Sequence, residues 1–193
     1  MVTPSESAAS FALSILRESA SPSESFVFSP FALGSSLAIL HDAAEGKAKE
    51  ELKELLLPGL NGEEEVSTTY STQTQGEPSN KKVQIGSAIR LYVDAAAAGD
   101  VDKDLQESIQ QTYATDVVPV NFKNTLETVE DANAFVSERT NDEITEMLGD
   151  SDLKEVSSSL LISAAYIKGQ WKASFEKENT KKEVFHGAKG DRE

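Results

Sequence analysis

The sequence predicts an α+β fold, and three observations predict it. Helical periodicities fill the first third of the chain. Strand and helix patterns alternate after it, and a nearly unbroken apolar run, LLISAAYIK at residues 160–168, stands close to the C-terminal end. That run closes on Gly169, Gln170 and Trp171, the single tryptophan of 193 residues. A strand with one wet face alternates apolar and polar residues; a short continuous apolar run bounded by breakers is a strand buried on both faces, or a piece of buried helix. Its length and its Tyr166–Ile167 ending favour the strand. Such a strand belongs in the middle of a sheet, yet only the charged residues 172–193 follow Trp171. The expectation is a sheet whose central strand is laid down just before the chain stops.

Each element has its own signal. Ala8, Phe11, Ala12, Ile15 and Leu16 recur at helical spacing and predict a helix over residues 7–18, broken by Ser21, Pro22 and Ser23. Residues 26–28 form a very short β-like run. Ser29–Pro30 then starts a second helix, with a hydroxyl at the N-cap and proline at the first helical position. Leu33, Leu37 and Leu40 carry it on, and its small residues Ala32, Gly34, Ser35, Ser36 and Ala38 predict close packing against another element. A third helix, residues 47–57, is stopped by Pro58 and Gly59. Residues 61–81, rich in Glu, Ser, Thr, Gln and Gly, read as a solvated loop or a frayed helix.

Val83, Ile85, Ile89, Leu91 and Val93 alternate with Gln84, Gly86, Arg90 and Asp94, which marks a strand with one apolar face. After a small-residue turn at 95–99, Val101, Leu105, Ile109 and Tyr113 predict a helix, and Val117, Val118, Val120 and Phe122 a strand. Leu126, Val129, Ala132, Val136, Thr140, Ile144 and Met147 trace one long amphipathic helix, 126–148, ended by Gly149. There are no internal repeats and no clear domain boundary, so residues 1–193 read as one unit.

Acidic residues number 33 against 18 basic ones, a formal net charge of −15. Phosphate contacts need a basic face, so nucleic acid is not an expected partner, and anionic membrane surfaces are disfavoured too. The acid excess serves solubility. Cysteine is absent, which excludes disulfides, thiolate metal sites and a cysteine nucleophile. The N-terminus MVTPSESAASFAL lacks the basic and apolar regions of a secretory signal, and no Asn-X-Ser/Thr acceptor occurs. No stretch approaches the ~18 apolar residues of a membrane span. These observations together give a cytoplasmic expectation.

Neither His41 nor His186 has a neighbour at metal-ligand spacing, and His41 falls at a helix end where imidazole meets the last carbonyls. Asp100, Asp102 and Asp104 imitate the opening of a calcium loop, but Leu105 stands where that loop needs glycine and Gln111 where it needs glutamate. Acids at a helix N-terminus account for the cluster. Lys168 and Lys172 read as solvated flanks. No catalytic residue, cofactor or metal is expected, and the chain does not read as an enzyme.

Six segments in order resemble one family, the serpins. FVFSPFALGSSLAIL from Phe26 is similar to the family's short strand and following helix, with Phe28, Ser29 and Pro30 as its Phe-Ser-Pro. AAEGKAKEEL from Ala43 resembles the next turn and helix, at Ala44, Gly46, Glu51 and Leu52. SAIRLYVD from Ser87 resembles the second strand of the family's main sheet, and YATDVVPVNF from Tyr113 the helix end and edge strand that come next. ANAFVSERTNDEITEML resembles the helix lying across that sheet, at Asn133, Val136, Thr140, Asn141 and Ile144. ISAAYIKGQWKASFEKENTKKEVF resembles the third strand and the hinge beyond it, at Ala164, Tyr166, Lys168, Gly169, Trp171, Phe175, Thr180 and Phe185. The chain departs from the pattern at Ile89 and Ser163, where the family has strand asparagines, and at Phe135, where it has the helix tryptophan. Ala48 and Ala32 replace a threonine and a serine.

The resemblance implies a partial serpin domain over residues 1–193: helices, about three strands of the main sheet and the long helix across it, with the C-terminal half of a fold about twice this length absent. The reactive loop, its small-residue hinge and the last strands belong to that half. Family members inhibit serine or cysteine proteases as single-use substrates, and the cleaved loop inserts as a new central strand. By resemblance Ser29, Ser163 and Trp171 belong to the control of sheet opening, Ser163 with a shorter hydrogen-bonding arm than the family's asparagine. Without a reactive bond the chain is expected to be inactive alone. The alternative is a non-inhibitory protein that captures a β-strand of another chain, or a second copy of itself, on its unpaired central strand. Many serpins are extracellular, which sets that location beside the cytoplasmic one.

Overall fold

The computed structural model describes residues 3–19, 26–60, 66–74, 83–96, 102–154, 156, 158–187 and 190–192. Helices come first: α1 (Pro4–Ser19), α2 (Pro30–Ala43), α3 (Gly46–Leu56) and α4 (Val66–Thr74). Then follow β1 (Val83–Asp94), α5 (Lys103–Tyr113), β2 (Val117–Val120), α6 (Thr125–Arg139) and β3 (Ser159–Gly169). A small hairpin of β4 (Phe185–Gly187) and β5 (Gly190–Arg192) closes the described chain.

The serine–proline start of α2 forms as its chemistry requires. Ser29 is extended and its Oγ accepts the Ala32 N–H, satisfying a donor that the first helical turn leaves open. The small residues of α2 admit neighbours closely. A Cβ added at Gly34 would lie 2.3 Å from the ring of Tyr70 on α4, so the glycine is what lets that ring lie against the helix. Of the two readings of residues 61–81, solvated loop or frayed helix, a helix forms as α4, but it is docked on the core. Val66 and Tyr70 are buried in the core with Phe11, Ile39, Leu56 and Ile109, and the Tyr70 hydroxyl donates to the Leu56 carbonyl at 3.1 Å. Two large side chains a helical turn apart suffice to dock an otherwise polar helix. Residues 61–65 and 75–81 lie outside the described residues, as do Ser21, Pro22 and Ser23. Residues 26–28 form no strand; the rings of Phe26 and Phe28 stack 5.7 Å apart instead.

α5 begins where the acidic cluster placed it. The Asp102 carboxylate accepts from the N–H groups of Asp104 and Leu105, so this acid caps a helix; Asp100 lies outside the described residues.

The main sheet has the order β2-β1-β3. β2 runs parallel to β1, from Leu91↔Val117 to Asp94↔Val120, and β3 runs antiparallel to it, from Val83↔Gly169 to Val93↔Ser159. One face carries Ile89 and Leu161 into the core of α1 to α5; the other carries Ala88, Tyr92, Ile162 and Ala164 against Ala132, Phe135 and Val136 of α6. β1 therefore has two covered faces in its second half, where its pattern promised one. Small Ala88 and amphipathic Tyr92 hide the second face from a polarity count.

β3 stands at one end of the sheet order, the unpaired strand that the sequence reading expects. It bonds to β1 on one side and to no other strand among the described residues. Residues 160–166 are buried or half-buried, but Ile167 is 74% exposed. α6 is also shorter than its periodicity suggested, ending at Arg139. Thr140 caps it through Val136 O, and Asn141 and Asp142 take left-handed conformations that stop the helix. The chain then folds back along α6, with Asn133 Oδ1 accepting from Met147 N and Leu148 N and its amide donating to Leu148 O. Ile144 and Leu148 still reach the core from that return, which is why their spacing imitated a longer helix.

Truncating Tyr70 to Ala is expected to destabilise the chain by about 3–5 kcal/mol, read by urea denaturation; a solvated segment predicts no change. Burial also pushes the phenols of Tyr70 and Tyr92 up to about 12. Each folded phenol keeps its proton after the unfolded chain loses its own, so its contribution is whole below a pH of about 10 and is lost as pH rises toward 12. A urea midpoint that is level to about pH 9 and then falls is the expected profile.

Candidate functional site

Two of the three residues that the sequence singled out meet on one residue, Ala32. Ser29 Oγ accepts the Ala32 N–H at 3.1 Å, and Ser163 Oγ donates to the Ala32 carbonyl at 3.0 Å. Ser36 Oγ donates to the same carbonyl at 2.9 Å. The first turn of α2 is thus tied by side chains to the middle of β3. Ser163 is short, but the helix is close: Ala32 is small and buried, so a one-carbon arm reaches it. The two positions where strand asparagines were expected are cross-strand partners, Ile89↔Ser163. One sends an aliphatic side chain into the core, and the other keeps the polar contact. Trp171 does not join them. It lies just past β3, 74% exposed, packed edge-to-face against Phe175.

On the opposite face, α6 is held across β1 and β3 by groups the sequence did not mark. The Arg90 guanidinium lies 3.6 Å from the centroid of the Phe135 ring, and its Nη1 donates to Asp131 Oδ2 at 3.1 Å. The Tyr92 hydroxyl donates to the same oxygen at 2.7 Å. Burial is the main reason for the high pKa of this phenol; the Arg90 hydrogen bond pulls it down and Asp131 pushes it up. Past the helix end, the Asn141 amide donates to the Tyr166 hydroxyl, and Lys168 Nζ meets Glu143 Oε1 at 2.5 Å, which raises the pKa of that amine. Gly86 gives the Tyr166 ring its place: a Cβ there would come 2.1 Å from the ring and 2.8 Å from the Arg139 carbonyl. One signal was available in sequence, since Arg90 and Tyr92 share a strand face at a spacing of two.

His41 Nδ1 pairs with Asp42 Oδ1 at 2.9 Å in place of the last helical carbonyls, and Asp42 in turn accepts the Tyr113 hydroxyl at 2.8 Å. His186 pairs with Asp191 across the β4–β5 hairpin. Among the described residues no group of three His, Cys, Asp or Glu side chains is placed to hold a metal ion, and no helix is long and apolar enough to cross a membrane.

The arrangement is a three-stranded sheet with α6 packed on one face and, among the described residues, no strand beyond β3. A family model described as serpin (serine protease inhibitor) matches residues 6–193. The chain belongs to the serpin family. Human glia-derived nexin is 27% identical, over 88% of this chain and 42% of its own length. Alaserpin of Manduca sexta is 29% identical, over 88% of this chain and 42% of its own. The chain therefore spans less than half the length of these curated relatives. Among solved structures, emu ovalbumin superposes with a TM-score of 0.85 at 17% identity, over 99% of this chain and 53% of that one. The Arabidopsis serpin in its native stressed conformation gives 0.83 at 18%, over 98% and 50%. These likenesses agree with the α+β expectation of helices followed by about three sheet strands with a helix across them.

Removing either serine contact is expected to cost about 1 kcal/mol in Ser163→Ala and in Ser29→Ala. The double variant loses about 0.5 kcal/mol less than the sum, because both contacts hold Ala32. Trp171→Ala stays within about 0.5 kcal/mol. A double-mutant cycle by chemical denaturation reads all three.

Proposed function

We propose that this chain is the N-terminal half of a serpin-type protease inhibitor and supplies the strand-accepting side of the fold. The observation that carries the reading is the edge of β3, hydrogen-bonded to β1 and to no further strand among the described residues. A strand edge presents a row of N–H and C=O groups, and an extended peptide that lies beside it gains a ladder of hydrogen bonds. In the family that peptide is the cleaved reactive loop, and the gain in pairing drives the trapping of the protease. Relatives named antichymotrypsin-2 and antitrypsin of Bombyx mori, each 26% identical, support a serine protease as the target class. In the family the bond that a protease cleaves lies in the second half of the pattern, so the part represented by residues 1–193 accepts the strand and does not itself supply the cleaved bond. Ser163 holds the accepting strand against the first turn of α2, which Ser29 caps, until the sheet opens.

A second reading has its own observation. Ile167, Trp171, Phe175, Val184 and Phe185 are exposed at and beyond the end of β3. An apolar fringe beside an unpaired edge suits capture of a strand from another chain or from a second copy.

Incubation with trypsin or chymotrypsin is expected to leave no adduct that survives detergent electrophoresis. An acetylated strand peptide of alternating Thr and Ala is expected to bind one to one by native mass spectrometry. A covalent adduct contradicts the inactive half, and failure of the peptide to bind at any concentration contradicts the accepting edge.

A further inference from the structure

The segment between β3 and the β4–β5 hairpin lacks the shelter that the elements before it have. From Ile167 to His186 every residue is exposed. Between Gly169 and Phe185 the backbone forms no strand and no α-helix, only the short 3-10 turn Lys177–Asn179. Among the described residues, the bonds of residues 170–184 are local: Asn179 N donates to the Glu176 carbonyl, Thr180 N to the Lys177 carbonyl, and Lys181 pairs with Glu183. Trp171 and Phe175 pack edge-to-face around a bend at Lys172 and Ala173, with both rings in solvent. Little therefore holds this backbone against the extended form in which a protease reads its substrate.

Four lysines stand in the segment, and they are not equivalent. A lysine enters the specificity pocket of a serine protease by pairing with an acid there, so an acid of its own chain competes. Lys181 Nζ is held by Glu183 Oε1 at 2.7 Å, Glu183 directly follows Lys182, and Glu176 and Glu178 flank Lys177. Lys172 stands between Trp171 and Ala173, and its ammonium meets no carboxylate among the described residues. Outside this segment, the described lysines that lie in no helix or strand are Lys123 and Lys154, both in hydrogen-bonded turns.

We propose that the segment after β3 is a proteolytic processing site, with the Lys172–Ala173 bond as the preferred point of attack for a serine protease whose specificity pocket carries an acid. This bond is distinct from the one cleaved in the family's trapping reaction, and its cleavage does not depend on strand uptake at β3. The step is a hydrolysis. The serine oxygen of the protease adds to the Lys172 carbonyl, the C–N bond to Ala173 breaks, and the departing amine takes a proton. Water then cleaves the Lys172 ester, leaving a carboxylate on Lys172 and returning the serine hydroxyl. Trapping would need a freed stretch that can still be inserted. Here the stretch before the cut is β3, already laddered to β1 from Ser159 to Gly169, so nothing carries the ester away and it turns over.

Limited digestion of the full folded chain with trypsin, with each new terminus timed by mass spectrometry, tests the site. Cleavage after Lys172 is expected to be about fivefold faster than after Lys181 or Lys182, the factor that an exposed ion pair supplies. It is expected to be about a hundredfold faster than after Lys123 or Lys154, whose turns must first open. Lys172→Gln is expected to slow cleavage at this bond about a thousandfold, Lys172→Arg to keep it, and Lys181→Gln to leave it unaltered. Cleavage after another described lysine or arginine at an equal or greater rate overturns the site, as does a Lys172→Gln chain cut between residues 172 and 173 at the original rate. A detergent-resistant adduct on Lys172 overturns the hydrolysis, because it would mean that the stretch before the cut still had somewhere to go.

Discussion

One pairing constrains this molecule, the single-sided ladder of β3. Backbone N–H and C=O groups are obligatory hydrogen-bonding groups, and leaving one buried and unpaired costs about 1–3 kcal/mol. β3 meets that demand toward β1 along its whole length, and its outer side is met by no strand among the described residues. The faces of the same strand are not in that position. Leu161 packs against the α2 side, and Ile162 and Ala164 are buried under α6. A strand so covered above and below, yet open along its side, favours one kind of visitor: an extended backbone in register.

The elements around β3 are held in a matching way. Side chains tie it to α2 and to the turn after α6, and a side-chain tie can be released without breaking the backbone ladder. The Ala32 carbonyl takes two hydroxyls, from Ser36 within its own helix and from Ser163 on the strand. The strand contact is thus local and exchangeable, while α2 keeps its cap at Ser29. On the other face, the smaller ring at Phe135 does not leave a void beside it, because the Arg90 guanidinium lies over it. A substitution that looks volume-losing along one chain segment is completed by a residue from another.

What the sequence discloses and what it conceals have physical causes. The apolar run at 160–168 announces a strand because its neighbours are breakers and its composition is β-prone. Ser29–Pro30 and Asp102 announce helix starts because capping is local chemistry. The docking of α4 is concealed, since it depends on Tyr70 finding the space that Gly34 leaves on a different helix. The true end of α6 is concealed for a similar reason. Ile144 and Leu148 point into the core from a chain that has already turned back, so their spacing carries a helical period without a helix. At the site, Ser29 and Ser163 were legible through family resemblance, but that they share Ala32 is a fact of three dimensions. The junction at Asp131 was illegible, because an exposed carboxylate on an acidic helix looks like every other acid around it.

Residue-resolved hydrogen exchange of β3 in the unliganded chain tests the central claim most directly. In an antiparallel pair, successive amides point alternately toward the neighbour and away from it. A strand with one partner is expected to show slow and fast amides in alternation from Leu160 to Lys168, with the fast set becoming protected when a strand peptide is added. Uniform protection of all these amides in the chain alone would mean that this polypeptide already fills both sides of the strand, and the open-edge account would not survive it.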